Sequence, residues 1–198
     1  DRHLARLSAS AAYFHFCFNE SSIRTALSDA CRQLAPGAYR LRASLSADGK
    51  LRIDHSPLKP LNGTVRLLIA EQIMQSSDSF LAHKTTLRRA YDQAWQSAES
   101  QGAFDALFLN ERGEITEGGR CNIFVRLGSQ WFTPPLSSGL LPGVMRGVLL
   151  ADQSLAASER TLTLSDLRDA QEIWVCNALR GPMKAEIEWQ SASALSGW

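Results

Sequence analysis

Three short segments of this chain hold the residue types that could do chemistry together. Residues 83–86 read His-Lys-Thr-Thr, residues 116–124 read Thr-Glu-Gly-Gly-Arg-Cys-Asn-Ile-Phe, and Thr-Pro-Pro at 133–135 leads to Leu-Leu-Pro-Gly-Val-Met-Arg at 140–146. A lysine, a later carboxylate and a glycine turn that opens a helix are the parts that a pyridoxal phosphate (PLP) site requires. Their order and spacing make a PLP site the leading hypothesis.

Lys84 and Glu117 are the candidates for the two ends of that cofactor. Lys84 would hold the aldehyde, and its amine, once freed by substrate, could move a proton at the carbon that bears the substrate nitrogen. Glu117 would pair with the pyridine nitrogen and keep the ring protonated. Taken singly, a solvated lysine and a turn carboxylate at a strand start are the commoner cases. The neighbouring motifs favour the chemical interpretation.

Two further segments could contact a ligand. The turn at 141–146 predicts an anion site in which the backbone N–H groups of Val144 and Met145 donate, while Arg146 either faces a cleft or pairs on the surface. Residues 177–181, Asn-Ala-Leu-Arg-Gly, follow an apolar strand at a point where sheets often expose ligand contacts. An ordinary loop has the same composition.

Composition argues against several other classes of protein. The 198 residues carry 21 basic and 20 acidic side chains, a net charge of +1, so neither nucleic acid nor an anionic membrane is expected as partner. The apolar runs are too short to span a bilayer. The four histidines and four cysteines show neither metal-ligand spacing nor a C-x-x-C pair. We therefore expect no metal site, no disulfide framework and a cytoplasmic location.

Apolar periodicity predicts a mixed α+β protein of two lobes. The N-terminal part is predicted to form helices at about 3–17 and 23–34, the second capped by Ser21 or Ser22, and a hairpin at 39–53. The rest is predicted to form strands at 65–71, 104–110, 115–127, 131–133, 172–176 and 184–189, an extended segment at 160–164, and helices at 87–100, 143–150 and 166–170, the last capped by Ser165. Residues 1–60 would then be a small α/β lobe and 61–198 a larger one, with a ligand cleft between them.

Motifs along essentially the whole chain resemble those of the class IV aminotransferase family, the fold-type IV PLP enzymes: residues 83–86, 116–117, 122–124, 133–136 and 139–143. The resemblance implies a small α/β lobe beside a barrel-like larger lobe, with PLP bound by Lys84 and Glu117. Residues 3–7 are similar to an early helix of that family whose arginine contacts the cofactor phosphate, which would be Arg6. The strands that precede this helix in the family are missing from the sequence.

Within the family, residues 176–179 are similar to 4-amino-4-deoxychorismate lyases, and Asn177 and Ala178 would contact the cofactor. D-amino acid and branched-chain aminotransferases usually carry threonine where Ala178 stands. The resemblance implies a carbon–oxygen lyase of folate biosynthesis that forms p-aminobenzoate and pyruvate, with Lys84 as the catalytic residue. An aminotransferase of D- or branched-chain amino acids is one alternative, and a non-catalytic domain is another.

The resemblance also implies partners. Residues 83–86, 110–113 and 177–181 look closest to the lyase-like domain fused behind aminodeoxychorismate synthase component I, and the start at Asp1 is typical of the interior of a longer polypeptide. Fold-type IV enzymes are commonly homodimers. We therefore expect a small-molecule substrate, a second copy of the chain, and fusion or association with a synthase.

Overall fold

A computed structural model describes residues 1–189, which divide into an N-terminal unit, residues 1–62, and a C-terminal unit that begins at Gly63. The N-terminal unit holds two helices and one antiparallel hairpin. Ala11 on the first helix and Ile23 on the second are buried. The elements are α1 (Arg2–Tyr13), α2 (Glu20–Arg32), β1 (Tyr39–Leu45) and β2 (Leu51–Pro57). The hairpin lies where the alternation of apolar residues predicted it.

Both helix boundaries in the N-terminal unit differ from the prediction. The helix α1 ends at Tyr13, because His15 takes a left-handed backbone with φ of 55°. The cap of α2 is Asn19, whose side chain accepts from the N–H of Ser22 at 2.9 Å. The predicted cap at Ser21 or Ser22 is wrong because Asn19 is the last residue with extended backbone before the helix.

The C-terminal unit is built on a curled eight-stranded sheet with the order β5-β4-β3-β10-β9-β6-β7-β8. Its pairs β3–β4, β3–β10 and β7–β8 are parallel and the others are antiparallel. The strands are β3 (Val65–Met74), β4 (Asp105–Asn110), β5 (Ile115–Gly118), β6 (Asn122–Leu127), β7 (Gln130–Thr133), β8 (Ser158–Glu159), β9 (Glu172–Asn177) and β10 (Gly181–Ile187). This architecture confirms the predicted α+β class with a strand-rich, barrel-like larger lobe.

Both faces of this sheet are covered by apolar contacts, which explains why its inner strands are apolar almost without alternation. Leu107 and Ile123 belong to the core on one face. On the other face α3 covers Phe108, and α4 lies beside Phe124 in a third cluster. The helices are α3 (Arg89–Ser100), α4 (Val144–Leu150) and α5 (Leu164–Asp169), and 3-10 turns occupy Ser79–Ala82 and Leu136–Ser138.

The strand predicted over 115–127 is two strands, β5 and β6, separated by residues 119–121. The buried carboxyl of Asp105 causes the break. It accepts from the N–H of Arg120 at 2.8 Å and from the thiol of Cys121 at 3.0 Å, which draws these residues out of the ladder. As a result β5 pairs with β4, while β6 crosses to pair with β9.

The segment before α5 also differs from the prediction. Thr163, not Ser165, caps α5, and it forms a reciprocal capping box with Asp166. The carboxylate of Asp166 accepts from the N–H of Thr163 at 2.8 Å. Because both ends of the capping box are satisfied at Thr163, the helix begins earlier than the apolar pattern alone predicts. The extended segment predicted at 160–164 is not a strand, because β8 ends at Glu159 and α5 begins at Leu164. Its first residue, Arg160, continues the pairing with β7 by donating its N–H to Thr133 O at 3.0 Å.

Candidate active site

Glu117 lies inside β5 with its side chain buried, and only 6% of the residue is exposed. Three donors from different parts of the fold hold its carboxyl group. Oε1 accepts from the Tyr91 hydroxyl at 2.9 Å and from the N–H of Leu141 at 3.0 Å. Oε2 accepts from the side-chain amide of Asn122 at 3.1 Å. A buried carboxyl with three converging donors is held in one orientation.

Asn122, the first residue of β6, joins this carboxyl to the turn before α4. Its Nδ2 donates both to Glu117 Oε2 and to Leu141 O, the latter at 3.0 Å. Its Oδ1 lies against Gly143, so closely that a Cβ on Gly143 would be 1.9 Å from that oxygen. Only glycine allows the turn to approach the amide this closely.

Burial raises the pKa of Glu117 from its ordinary value of 4.5 to about 7. The N–H of Leu141, the Tyr91 hydroxyl and the positive charges of Lys84 and Arg88 act in the opposite direction and lower this pKa. The cost of removing a carboxylate from water therefore outweighs the donors around it. Near neutral pH the group is poised between its two forms, so a further positive charge beside it would favour the carboxylate.

Lys84 lies in the segment between the 3-10 turn Ser79–Ala82 and α3, and the residue is exposed. The positive charge of Lys84 lowers the pKa of Glu117. The two residues that the sequence nominated for PLP are therefore close enough to interact electrostatically. A nucleophilic amine has to be reached by its reaction partner, and the exposure of this residue agrees with that.

Gly143 is the N-cap of α4, and no side chain there caps the helix. Val144 and Met145 are therefore the first residues of the helix, beside the turn that binds Glu117 and Asn122. Arg146 does not lie on the surface, because it is 4% exposed. Its guanidinium donates to Pro134 O at 2.8 Å and pairs with Glu159, which fixes α4 to the strand region.

Asn177 ends β9, and Ala178 follows it in an exposed turn. The side-chain oxygen of Asn177 accepts from the N–H groups of Leu179 at 3.1 Å and Arg180 at 3.0 Å, so this side chain shapes its own turn. Cys176 on β9 pairs with Asn122, the first residue of β6, so the turn after β9 lies at the end of the strands where β6 begins.

Arg6 lies on α1 in the N-terminal unit and is half-buried there. Its contact with a cofactor phosphate stays a prediction, as do the roles of the other six site residues. The C-terminal unit brings Lys84, Glu117 and the turn before Val144 together.

Sequence reasoning missed two members of this site, Tyr91 and Asn122. Tyr91 belongs to the buried face of α3, at helical spacing from Ala94 and Ala98, and a tyrosine on an apolar helix face usually donates its hydroxyl to a buried acceptor. Asn122 was visible as part of the 116–124 motif, but nothing local indicates that its amide reaches Glu117. Within residues 1–189, His, Cys, Asp and Glu side chains form no group of three that could hold a metal ion.

Known proteins resemble this chain in sequence or in fold over most of its length. A Schizosaccharomyces pombe protein named as a candidate aminodeoxychorismate lyase is 28% identical over 97% of this chain and 85% of its own length. A Mesorhizobium loti crystal structure, described as a candidate amino-acid aminotransferase, is 37% identical with a TM-score of 0.88 over 95% of this chain and 91% of that one. The 4-amino-4-deoxychorismate lyase structure from Pseudomonas aeruginosa shares the fold at 21% identity, with a TM-score of 0.78 over 94% and 76%.

No helix in the described part of the chain is both long and apolar enough to cross a membrane. The family model for amino-transferase class IV matches residues 1–185. That match covers nearly all of the 198 residues, and it agrees with the fold-type IV neighbours and with the site around Glu117. The chain therefore belongs to the class IV aminotransferase family.

Proposed function

We propose that this chain is a lyase that converts 4-amino-4-deoxychorismate into p-aminobenzoate and pyruvate. Membership of the class IV family makes it an enzyme with PLP as cofactor and a small molecule as substrate. The observation that carries the proposal is the buried carboxyl of Glu117, held by three donors and placed under the charge of Lys84. The step from the family to the lyase depends on the turn at Asn177 and Ala178.

The residues of the site fit PLP by their chemistry. Glu117 is a buried acceptor whose pKa of about 7 allows it to ionise opposite a protonated ring nitrogen. Lys84 supplies the amine for the aldehyde. The backbone N–H groups of Val144 and Met145, which no side chain caps, would donate to the phosphate. Arg6 would add a positive charge there.

Each residue has a defined task in the proposed reaction. When bound, PLP withdraws electrons from the substrate carbon that bears the amine, which acidifies the proton on that carbon. Lys84, as a free amine, would take that proton. Glu117 would hold the proton on the ring nitrogen and so keep the ring an effective electron acceptor. Elimination then breaks the bond between the neighbouring ring carbon and its ether oxygen. The enolpyruvate that leaves takes up one proton and becomes pyruvate, and the ring becomes aromatic, which makes the reaction strongly downhill.

Ala178 supports the lyase over an aminotransferase. It stands in an exposed turn beside the strand end at Asn122, and it lacks the hydroxyl that aminotransferases of the family usually present there. The resemblance to the Schizosaccharomyces pombe protein, over 97% of this chain and 85% of that protein, points the same way. The names of relatives are divided, however, because the Mesorhizobium loti structure is described as an aminotransferase at 37% identity. That likeness makes transamination the second candidate function.

The first experiment is an absorption spectrum of the chain with added PLP, before and after borohydride. The expected result is a long-wavelength band of lysine-bound PLP that reduction makes permanent and that Lys84→Ala abolishes. Lys50→Ala is the matched control, because Lys50 is an exposed lysine paired with Asp48 and it should leave the band unchanged. No reducible band in the wild-type chain would contradict PLP binding and would favour a non-catalytic domain.

The second experiment separates the two candidate activities. Pyruvate and p-aminobenzoate released from aminodeoxychorismate, without any added 2-oxo acid, are the expected result for a lyase. Amino-group transfer from a D- or branched-chain amino acid to a 2-oxo acid, with no pyruvate from aminodeoxychorismate, would establish the aminotransferase instead. Lys84→Ala should abolish either reaction.

The assembly of the enzyme is part of the proposal. We expect a homodimer, which light scattering on the purified chain would test. We expect fusion or association with an aminodeoxychorismate synthase, which would release the substrate close to the site that consumes it. The cytoplasmic location and the role in folate biosynthesis stay predictions from the sequence.

A further inference from the structure

The side chain of Tyr91 connects α3 to the carboxyl of Glu117. Its hydroxyl donates to Glu117 Oε1 at 2.9 Å, while its ring stands edge-on to Phe108 with 4.9 Å between the centroids. The guanidinium of Arg88 lies 5.5 Å from the centre of the same ring. Packing of the ring therefore fixes the direction of the hydroxyl.

The two oxygens of Glu117 are used unequally. Within residues 1–189, Oε1 accepts two hydrogen bonds, from Tyr91 and from the N–H of Leu141, whereas Oε2 accepts one, from Asn122. A carboxylate has about four acceptor positions, two on each oxygen. Oε1 is therefore filled, and the remaining position belongs to Oε2.

We propose that Tyr91 is a positioning residue that, by filling Oε1, holds the carboxylate so that Oε2 accepts the hydrogen bond from the ring nitrogen of PLP. This rests on the proposed function, because PLP is the ligand that it positions. Tyr91 itself touches only the carboxyl group and acts through it.

The charges around Glu117 agree with this task. Burial, followed by the negative charge of Glu117, raises the pKa of Tyr91 well above its ordinary value, so its hydroxyl remains a donor at every working pH. Lys84 and Arg88 contribute positive charge from the start of α3 and the segment before it. The thiol of Cys121, next to β5, has a raised pKa, chiefly through burial, and stays uncharged. Tyr91, Lys84 and Arg88 therefore favour the ionised form of Glu117, and the uncharged thiol of Cys121 does not oppose it.

The test is Tyr91→Phe, which keeps the ring and its packing and removes only the hydroxyl. Tyr39→Phe is the control, because Tyr39 lies on β1 and packs on His55. The first readout is the ionisation of Glu117 in the cofactor-free protein, followed by the carboxyl infrared band against pH. Loss of a hydrogen bond to a charged group should raise this pKa from about 7 by about one unit, roughly tenfold in the ionisation constant.

The second readout is the dissociation constant of PLP, measured by absorbance. It should rise about tenfold in Tyr91→Phe and stay unchanged in Tyr39→Phe. In a Glu117→Gln background the same Tyr91→Phe change should have little further effect, since the group that it positions is no longer a carboxylate. An equal rise in that background would show that Tyr91 only supports the packing and would overturn the proposal.

A folded Tyr91→Phe protein with unchanged Glu117 ionisation and unchanged PLP affinity would also overturn it. Failure of the proposed function has a different signature, because it is seen in the wild-type chain. A wild-type protein that binds PLP but transaminates refutes the lyase while leaving the role of Tyr91 intact. A wild-type protein that binds no PLP refutes both.

Discussion

Replacing Gly143 with alanine adds one methyl group at the closest approach in the site. The backbone of Gly143 has φ of −66° and ψ of 142°, which alanine adopts without strain, so the effect of the change is purely steric. The new Cβ would lie 1.9 Å from Asn122 Oδ1, and a Cβ essentially never lies closer than 3.0 Å to a non-bonded heavy atom. The amide of Asn122 must therefore move by about 1 Å or more.

The cost of that movement follows from what the amide does. Its nitrogen donates to Glu117 Oε2 at 3.1 Å and to Leu141 O at 3.0 Å, and a shift of about 1 Å breaks both hydrogen bonds. A hydrogen bond to a charged group contributes about 1.5–3 kcal/mol and a neutral one about 0.5–1.5 kcal/mol. We expect Gly143→Ala to lower the free energy of unfolding by about 2–4 kcal/mol and to weaken PLP binding.

Urea titration of the cofactor-free protein measures the loss of stability, and a double-mutant cycle with Asn122→Ala assigns it. In the Asn122→Ala protein the clashing amide is gone, and the next atom, Arg146 Cβ, lies 3.6 Å from the new methyl group, an ordinary contact. Gly143→Ala should then cost less than about 0.5 kcal/mol. An equal cost in both backgrounds would refute the argument, because the clash would not lie with Asn122.

Three further predictions use the same unfolding measurement. Because burial raises the pKa of Glu117 to about 7, the folded protein holds this proton more tightly than the unfolded chain, and stability is lost as pH rises from 4.5 to about 7. The wild type should therefore lose about 3 kcal/mol relative to Glu117→Gln across that window at 1.36 kcal/mol per unit, and a flat difference would contradict the assignment. Gly119→Ser should destabilise by about 1–3 kcal/mol, because its Cβ would lie 2.8 Å from Asp105 Oδ1; unchanged stability would mean that the carboxyl yields. Arg146→Lys should cost about 1–3 kcal/mol, because Nη2 of the buried guanidinium donates both to Glu159 and to Pro134 O, and the shorter lysine would not keep both contacts; full retention of stability would show that an ammonium can replace the guanidinium here.

The elements predicted well from the sequence are those whose information is local. The hairpin β1–β2 alternates apolar and polar residues on both sides of Asp48-Gly49, and Gly49 takes the positive φ of 83° that such a turn uses. The break between β5 and β6 could not be predicted in this way. It depends on Asp105, which lies on another strand, and no pattern within 115–127 distinguishes one long strand from two.

The same distinction applies to the site. The sequence motifs nominated Lys84 and Glu117, because the residue types needed for PLP chemistry are few. They did not nominate Tyr91, because its importance comes from a hydrogen bond to a residue 26 positions away. The interpretation of Glu117 as a turn carboxylate at a strand start also fails for a non-local reason. The residue is buried inside β5 by packing that the local sequence does not encode.

The location of Glu117 inside a strand explains two properties of the site: the ionised carboxylate is destabilised by burial, and the carboxyl group is nevertheless held in one orientation. Burial alone makes ionisation unfavourable, and the donors from α3, β6 and the turn before α4 each offset part of that cost. Because these donors belong to separate elements, the carboxyl cannot turn without breaking one of them, and a preorganised acceptor needs no rearrangement when a charged ring arrives. The close approach of Asn122 to the turn before α4 depends on Gly143, where any side chain would meet the Asn122 amide. Gly143 is therefore part of the site, although it contributes no functional group to it.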